Sequence, residues 1–352
     1  MYSNKSYHSI DRYTCINLDF INIHKNMTKA KPFIKWVGGK TQLIPQLDSL
    51  LPSDFSKWKD VTYIEPFVGG GAMLFYMIQR YPNIKRAIIN DINSDLTTCY
   101  KTVRDKPEEL INSLENIQNK FYALNTEEER KDFFLSCRSR YNEKNLVPIE
   151  NTTLFFFLNR TCFNGLYRVN KKGLFNVPFG KYTNPMILDA ETIRKDSSLL
   201  QQVEILTGDF EDTLKYVQGS ALFYFDPPYR PLSDTSSFND YTKESFNDSA
   251  QIRLKLFCDK IHQQGHYFML SNSDCKGKNE EDNFFDTLYN EYVIDRVWAS
   301  RSINSNACKR GKLTEILVHN YKGTKTNSYI DNFELEVVPE FINEENKEYQ
   351  IL

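Results

Sequence analysis

The chain has 352 residues, 40% of them hydrophobic and 26% charged, with a formal net charge of −2. That length supports a large core and two domains, and no apolar run approaches the ~20 residues that a membrane span needs. Seven scattered cysteines without a CxxC pair, five dispersed histidines, and an Asp19 that interrupts the apolar run 16–23 predict reduced thiols, no metal site, no signal peptide and a cytoplasmic location.

Residues 1–29 are polar and aperiodic and read as an extension outside the fold; Met27 stands just before the first patterned segment. Residues 33–37 (Phe-Ile-Lys-Trp-Val) predict a strand that breaks at Gly38-Gly39-Lys40, followed by a helix through Leu43, Ile44 and Leu47. A second strand over 62–68 meets three glycines at 69–71, then a helix from about 72 to 81. A third strand over 85–89 closes on Asn90-Asp91. Strand, glycine turn, helix, strand and acid make half of a doubly wound nucleotide-binding fold. From 94 to 150 the chain is helical in character, and 154–158 is intensely apolar. Residues 160–182, rich in Gly, Pro, Asn and aromatics, predict loops and short strands. The sheet resumes at 203–206, 221–225 and 266–270, with late strands near 292–298 and 313–319.

The glycine motifs point to a ligand unevenly. Gly39-Lys40-Thr41 is not a phosphate loop, because position 34, where that motif needs its first glycine, is isoleucine. The helix behind this turn can still attract an anion through its free N–H groups, with Lys40 assisting. Gly69-Gly70-Gly71 lacks the third glycine of a dinucleotide fingerprint, since position 74 is leucine. Asp91, twenty residues after Gly71, and Glu65 at the preceding strand end together suggest an adenosine-type ligand. Asp209, in Thr207-Gly208-Asp209-Phe210, reads equally well as another ligand acid or as a helix N-cap.

The most informative stretch is 221–229, where five apolar or aromatic residues end on Asp226-Pro227-Pro228-Tyr229. Proline cannot continue a ladder, so the strand stops there and the rigid turn aims Asp226 and Tyr229 at the ligand end of the sheet. The chemistry suits an exocyclic amine of a nucleobase. Asp226 and the Pro227 carbonyl could accept its two N–H groups, restoring lone-pair character for attack on a methyl carbon, while Tyr229 offers a stacking face. Charge distribution adds a nucleic-acid partner. Segments 151–182 and 296–314 each carry five basic residues and no acidic one, whereas 331–352 carries seven acids and one lysine.

These motifs, in this order, resemble the Dam-type DNA adenine N6-methyltransferases, the GATC-specific family that carries a DPPY turn. The resemblance runs from Lys31 to Tyr321. It implies an α/β fold: a doubly wound, mostly parallel seven-stranded sheet with an inserted helical and hairpin target-recognition domain. It also implies S-adenosylmethionine as cofactor. Residues 33–40 resemble the opening motif, with Trp36 and Lys40 at the cofactor. The segment 65–71 is similar to the glycine turn beneath it, with Glu65, Phe67, Gly69 and Gly71 as contacts. Asp91 resembles the ribose acid, and Asp209 and Asp226 complete the cofactor set. Asp226, Pro227, Pro228 and Tyr229 form the implied catalytic turn.

Residues 159–168 and 175–180 resemble the hairpin that reads DNA, which assigns Phe163, Asn164, Leu166, Arg168 and Pro178 to bases, with Arg160 and Lys171 beside them. Arg168 would suit a guanine edge. Phe163 stands where tyrosine is common, and Leu174 where glutamate is common. Residues 301–304 and Arg310 resemble a segment near the DNA backbone, which adds Arg301 and Arg310. The implied division is an extension at 1–29, a catalytic domain at 30–93 and 185–325, target recognition at 94–184 and an acidic tail at 326–352. The implied activity is methylation of adenine N6 in double-stranded DNA within GATC, by a monomer or weak dimer, either alone or as the modification half of a restriction-modification system. Two rivals stay open: cytosine N4 methylation, whose enzymes usually carry serine at the position of Asp226, and a non-catalytic DNA-binding protein on the same fold.

Overall fold

The computed structural model describes residues 29–230, 246–300 and 312–322. Arg301, Arg310, the N-terminal extension up to residue 28 and the acidic tail lie outside the described residues. Seven strands form one sheet: β1 Val61–Glu65, β2 Ile84–Asp91, β3 Val203–Thr207, β4 Ala221–Phe225, β5 Tyr267–Ser273, β6 Val293–Ser300 and β7 Lys312–His319, in the order β3-β2-β1-β4-β5-β7-β6. Only β7 among them opposes the rest, pairing antiparallel with β5 and β6. The expected doubly wound, mostly parallel sheet is the one found.

The helices are α1 Ile44–Ser49, α2 Ala72–Arg80, α3 Ser94–Asp105, α4 Pro107–Tyr122, α5 Glu127–Asn142, α6 Pro148–Thr161, α7 Ala190–Leu200, α8 Asp248–Gln263, α9 Cys275–Lys278 and α10 Phe284–Leu288. Alternation along β4 explains its wholly apolar sequence. Leu222 and Tyr224 enter one core with α2, α3 and α6, while Phe223 and Phe225 enter a second core with Leu254, Phe257 and Ile261 of α8. A strand buried on both faces needs no polar side. The apolar run 154–158 belongs to α6, whose residues 151–159 are all buried, so the middle of this helix has no solvent face. The first core runs without a break from the sheet into α3–α6 and on to Phe175 and Val177 of the following loop.

One expected strand is absent. Residues 33–37 form an irregular segment, although Phe33 and Ile34 are buried as a strand would bury them. The reason is where the backbone polar groups go. The Asn159 side chain of α6 accepts from Lys35 N at 2.8 Å and donates to Lys35 O at 2.8 Å, which replaces a neighbouring strand. Arg160 Nη2 adds a bond to Phe33 O at 2.9 Å.

The sheet order places a switch point between β1 and β4. Chain connections leave in opposite directions there, and ligands bind beyond the carboxyl ends of such strands. Just past β1, Gly71 has φ +74°, and a Cβ there would lie 2.4 Å from Tyr100 Oη. Gly265 has a similar φ of +77° with nothing within 4 Å. Gly265→Ala therefore reports backbone strain alone, about 1 kcal/mol, whereas Gly71→Ala adds a collision and should cost at least about 2 kcal/mol in urea unfolding. Equal losses would mean that Tyr100 moves aside freely.

Candidate active site at the switch point

The carboxyl ends of β1, β2 and β4 each deliver an acid. Glu65, the last residue of β1, is 2% exposed and accepts a hydrogen bond from Tyr63 Oη at 2.7 Å. Burial pushes its carboxyl up to about 8, with the Tyr63 bond opposing and the nearby Asp226 adding to the rise. Asp91, the last residue of β2, is pushed up to about 6 by burial, against the pull of backbone N–H bonds. Its two oxygens accept from Asn93 N at 2.9 Å and Gly69 N at 3.2 Å, so the acid ties the glycine turn to the start of α3.

The 226–229 turn follows β4 at once, as the prolines require. Lys40, only 6% exposed, donates from Nζ to Asp226 Oδ1 at 2.9 Å and to Gly38 O at 2.8 Å, and sits 4.6 Å over the Tyr229 ring. Burial raises the Asp226 carboxyl, and the Lys40 ammonium opposes that rise. The Tyr229 phenol, pushed well above its ordinary value by burial and then by the Asp226 charge, donates to Glu315 Oε2 of β7 at 2.7 Å. The turn's backbone is also anchored. Gln251 Nε2 donates to Pro228 O at 3.1 Å, and Arg230 N donates to Asn272 Oδ1 at 3.2 Å.

The structure thus brings Lys40, Asp226 and Tyr229 together, which sequence reading did not join. Lys40 points at Asp226 rather than at the amino end of α1, whose N-cap residue Leu43 makes no side-chain bond. Trp36 lies against the glycine turn: a Cβ on Gly69 would meet its ring at 2.9 Å and one on Gly70 would meet its Cβ at 3.0 Å. Phe67 packs 5.2 Å from Phe210 and 5.6 Å from Phe246. Asp209 is both an N-cap, accepting from Glu211 N at 2.9 Å, and an ion-pair partner of Arg253. Asn90, unremarked in the sequence, donates to Pro66 O at 3.1 Å and to Gly208 O at 3.0 Å, which holds the ends of β1 and β3 on β2.

The 160–182 segment contains a three-residue 3-10 helix, Phe163–Gly165, and two isolated antiparallel bridges, Cys162 with Phe179 and Val169 with Phe175. Tyr167, Phe175 and Val177 point inward, whereas Phe163 (51% exposed), Asn164, Arg168, Lys171 and Pro178 face out and Leu166 is half-buried. Arg168 Nε donates to Asn176 Oδ1 at 2.8 Å across this ribbon. Two cations of the basic segments, among the described residues, already have acidic partners in the fold. Arg296 pairs with Asp274 and Asp286, and Lys181 with Glu127.

Glu65 yields a pH test. Its carboxyl holds a proton in the folded state, up to about 8, that the unfolded chain releases near the ordinary 4.5, so ionisation between those values costs folding free energy as pH rises. Glu65→Gln removes that cost. The variant's melting temperature relative to wild type should therefore climb steadily from pH 5 to 8, and a constant difference would mean that Glu65 is already ionised in the fold.

Comparison with known proteins agrees with this geometry. The family model described as D12 class N6 adenine-specific DNA methyltransferase matches residues 36–303. A type II methyltransferase of Methanocaldococcus jannaschii is 46% identical over 296 residues, covering 83% of this chain and 100% of the relative. One of Lactococcus lactis is 38% identical, covering 85% and 98%. The DNA adenine methylase of Haemophilus influenzae is 32% identical, covering 83% and 94%. No helix among the described residues is long and apolar enough to cross a membrane. With its strand-end acids and 226–229 turn at the switch point, the chain belongs to the D12 class of N6-adenine-specific DNA methyltransferases.

Proposed function

We propose that the methyl donor is S-adenosylmethionine and that the target is adenine N6 within GATC in double-stranded DNA. The observation that carries the reading is the grouping of Asp226, Lys40 and Tyr229 beyond β4. Glu65, Asp91 and the glycine turn under Trp36 fit the donor. They offer acceptors at adjacent strand ends and close backbone approach. When bound, the cofactor supplies a methyl group on a sulfonium sulfur.

The chain's own residues then prepare the amine. Asp226 and the Pro227 carbonyl accept the two N6 hydrogens, and Tyr229 carries the flipped base on its ring. The Lys40 ammonium favours the ionised form of Asp226 and opposes the burial that raises its carboxyl. A donor held there would give its methyl carbon to the N6 lone pair, its sulfur keeping the electrons of the C–S bond, and one N6 proton would leave past Asp226 to solvent. Acceptors aimed at the charge developing on nitrogen lower the barrier.

Residues 94–184 supply target recognition in this reading, and 30–93 with 185–325 the catalytic domain. Phe163, exposed on the 3-10 helix that follows α6, wedges into the stack; Asn164, Leu166, Arg168 and Pro178 meet bases; Arg160 and Lys171 lie beside the DNA backbone. Identity to the two relatives named type II methyltransferases, higher than to those named DNA adenine methylase, favours a restriction-linked modification role over a solitary one.

Unmethylated plasmid treated with enzyme and labelled S-adenosylmethionine should take up label and become resistant to an endonuclease that cuts only unmethylated GATC. Label without a change in GATC cutting would place the site elsewhere. Asp226→Ala should abolish most turnover in a folded protein, and full activity would refute the role given to the turn. Arg168→Ala should relax site choice by about 1–3 kcal/mol, and uniform loss on all DNA would make Arg168 a phosphate contact instead.

A further inference from the structure

Backbone anchors fix where the 226–229 turn runs, but they do not set the plane of the Tyr229 ring. That depends on side-chain partners. Among the described residues these include Lys40, 4.6 Å over the ring, Glu315, which accepts from the hydroxyl at 2.7 Å, and Asp226, whose carboxyl the hydroxyl also stabilises. Lys40 comes from an irregular segment near the start of the fold. Glu315 comes from the interior of the sheet, where β7 is paired on both sides, Glu315 opposite Ser273 of β5 and opposite Val297 of β6. A side chain on a strand held from both edges is a fixed post.

We propose that Glu315 is a positioning residue for methyl transfer: it holds the Tyr229 hydroxyl and so sets the ring that receives the target base relative to Asp226. The proposal rests on the reading of Tyr229 as the stacking ring. An acceptor-only partner suits this task, because the buried phenol keeps its proton and always donates. A bond to an ionised acceptor is also stronger than one between neutral groups.

Glu315 has a second, electrostatic reach. Asp226 feels the Lys40 ammonium, the Glu315 carboxylate and the Tyr229 hydroxyl directly, and Tyr224 and Glu65 interact with its charge. Of these, Glu315 raises the Asp226 carboxyl while Lys40 lowers it. Glu315→Gln keeps an acceptor for Tyr229 and removes the charge, so the two effects are separable.

The test compares Glu315→Ala, Glu315→Gln, Tyr229→Phe and the Glu315→Ala/Tyr229→Phe double variant in the full chain, by single-turnover methyl transfer to unmethylated DNA. Thermal melts check the fold. Loss of one such bond predicts that Glu315→Ala slows transfer roughly 10- to 100-fold while S-adenosylmethionine affinity holds. Tyr229→Phe should match it, and the double variant should lose no more than either single one. Glu315→Gln should recover most of the rate and move the acidic limb of the pH–rate profile to lower pH, since Asp226 then ionises more readily. A wild-type rate in Glu315→Ala, multiplied losses in the double variant, or a Gln variant no better than Ala would overturn the proposal. Should Glu315→Ala fail to fold, Glu315→Gln and Tyr229→Phe still decide it through the pH shift and the rate loss. Asp226→Ala is run alongside. If it is active, the catalytic reading of the turn fails; if it is inactive while Glu315→Ala is unimpaired, only the role of Glu315 fails.

Discussion

A carboxylate that follows a fully buried strand and stays charged needs a cation within reach. In this protein that cation is Lys40, itself nearly buried, 2.9 Å from Asp226. Taking two charges out of water is costly unless geometry and extra hydrogen bonds compensate. Here Gly38 O takes a further Lys40 proton and the Tyr229 ring faces the ammonium. Removing either partner would strand the other. The segment carrying Lys40 must therefore lie close to the end of β4, and much of the remaining architecture serves to bring it there.

That segment gives up strand geometry to do so. Asn159 satisfies both backbone groups of Lys35, Arg160 caps Phe33 O, and Trp36 presses on Gly69 and Gly70. Helix α6, buried on every side over 151–159, is thus the support for the opening loop as well as the base of the outward ribbon at 160–182. Trp36 also stacks 5.4 Å from Tyr167, which lies between Leu166 and Arg168 of that ribbon. The opening loop and the ribbon at 160–182 are therefore packed on one core through Trp36 and Tyr167, and Trp36 also lies against the glycine turn.

Much of the fold was legible because strands here end on chemically marked residues. Asn90-Asp91, Gly208 and Asp226 before two prolines each close a short apolar run, so strand position and ligand end were readable together, whereas the strand expected over 62–68 stops at Glu65 because Pro66 cannot continue the ladder. The segment 33–37 misled because burial of Phe33 and Ile34 is shared by strands and by loops pinned to a helix. The pairings inside the site were not legible. Tyr229 and Glu315 are 86 positions apart and meet only because β7 inserts between β5 and β6, an order that periodicity does not encode. Charge counting pointed to the class of partner but not to which cations are free for it: Arg296 belongs to a basic segment, yet Asp274 and Asp286 hold it within the fold.

The account gives Asp226 one task, accepting hydrogen bonds from an amine that attacks a methyl carbon directly. Single-turnover methyl transfer by Asp226→Asn at saturating donor and DNA measures that task, because the substitution preserves shape and leaves one acceptor. The account predicts a chemical step slowed by roughly 100-fold or more even with both substrates saturating. An unchanged chemical step would contradict it.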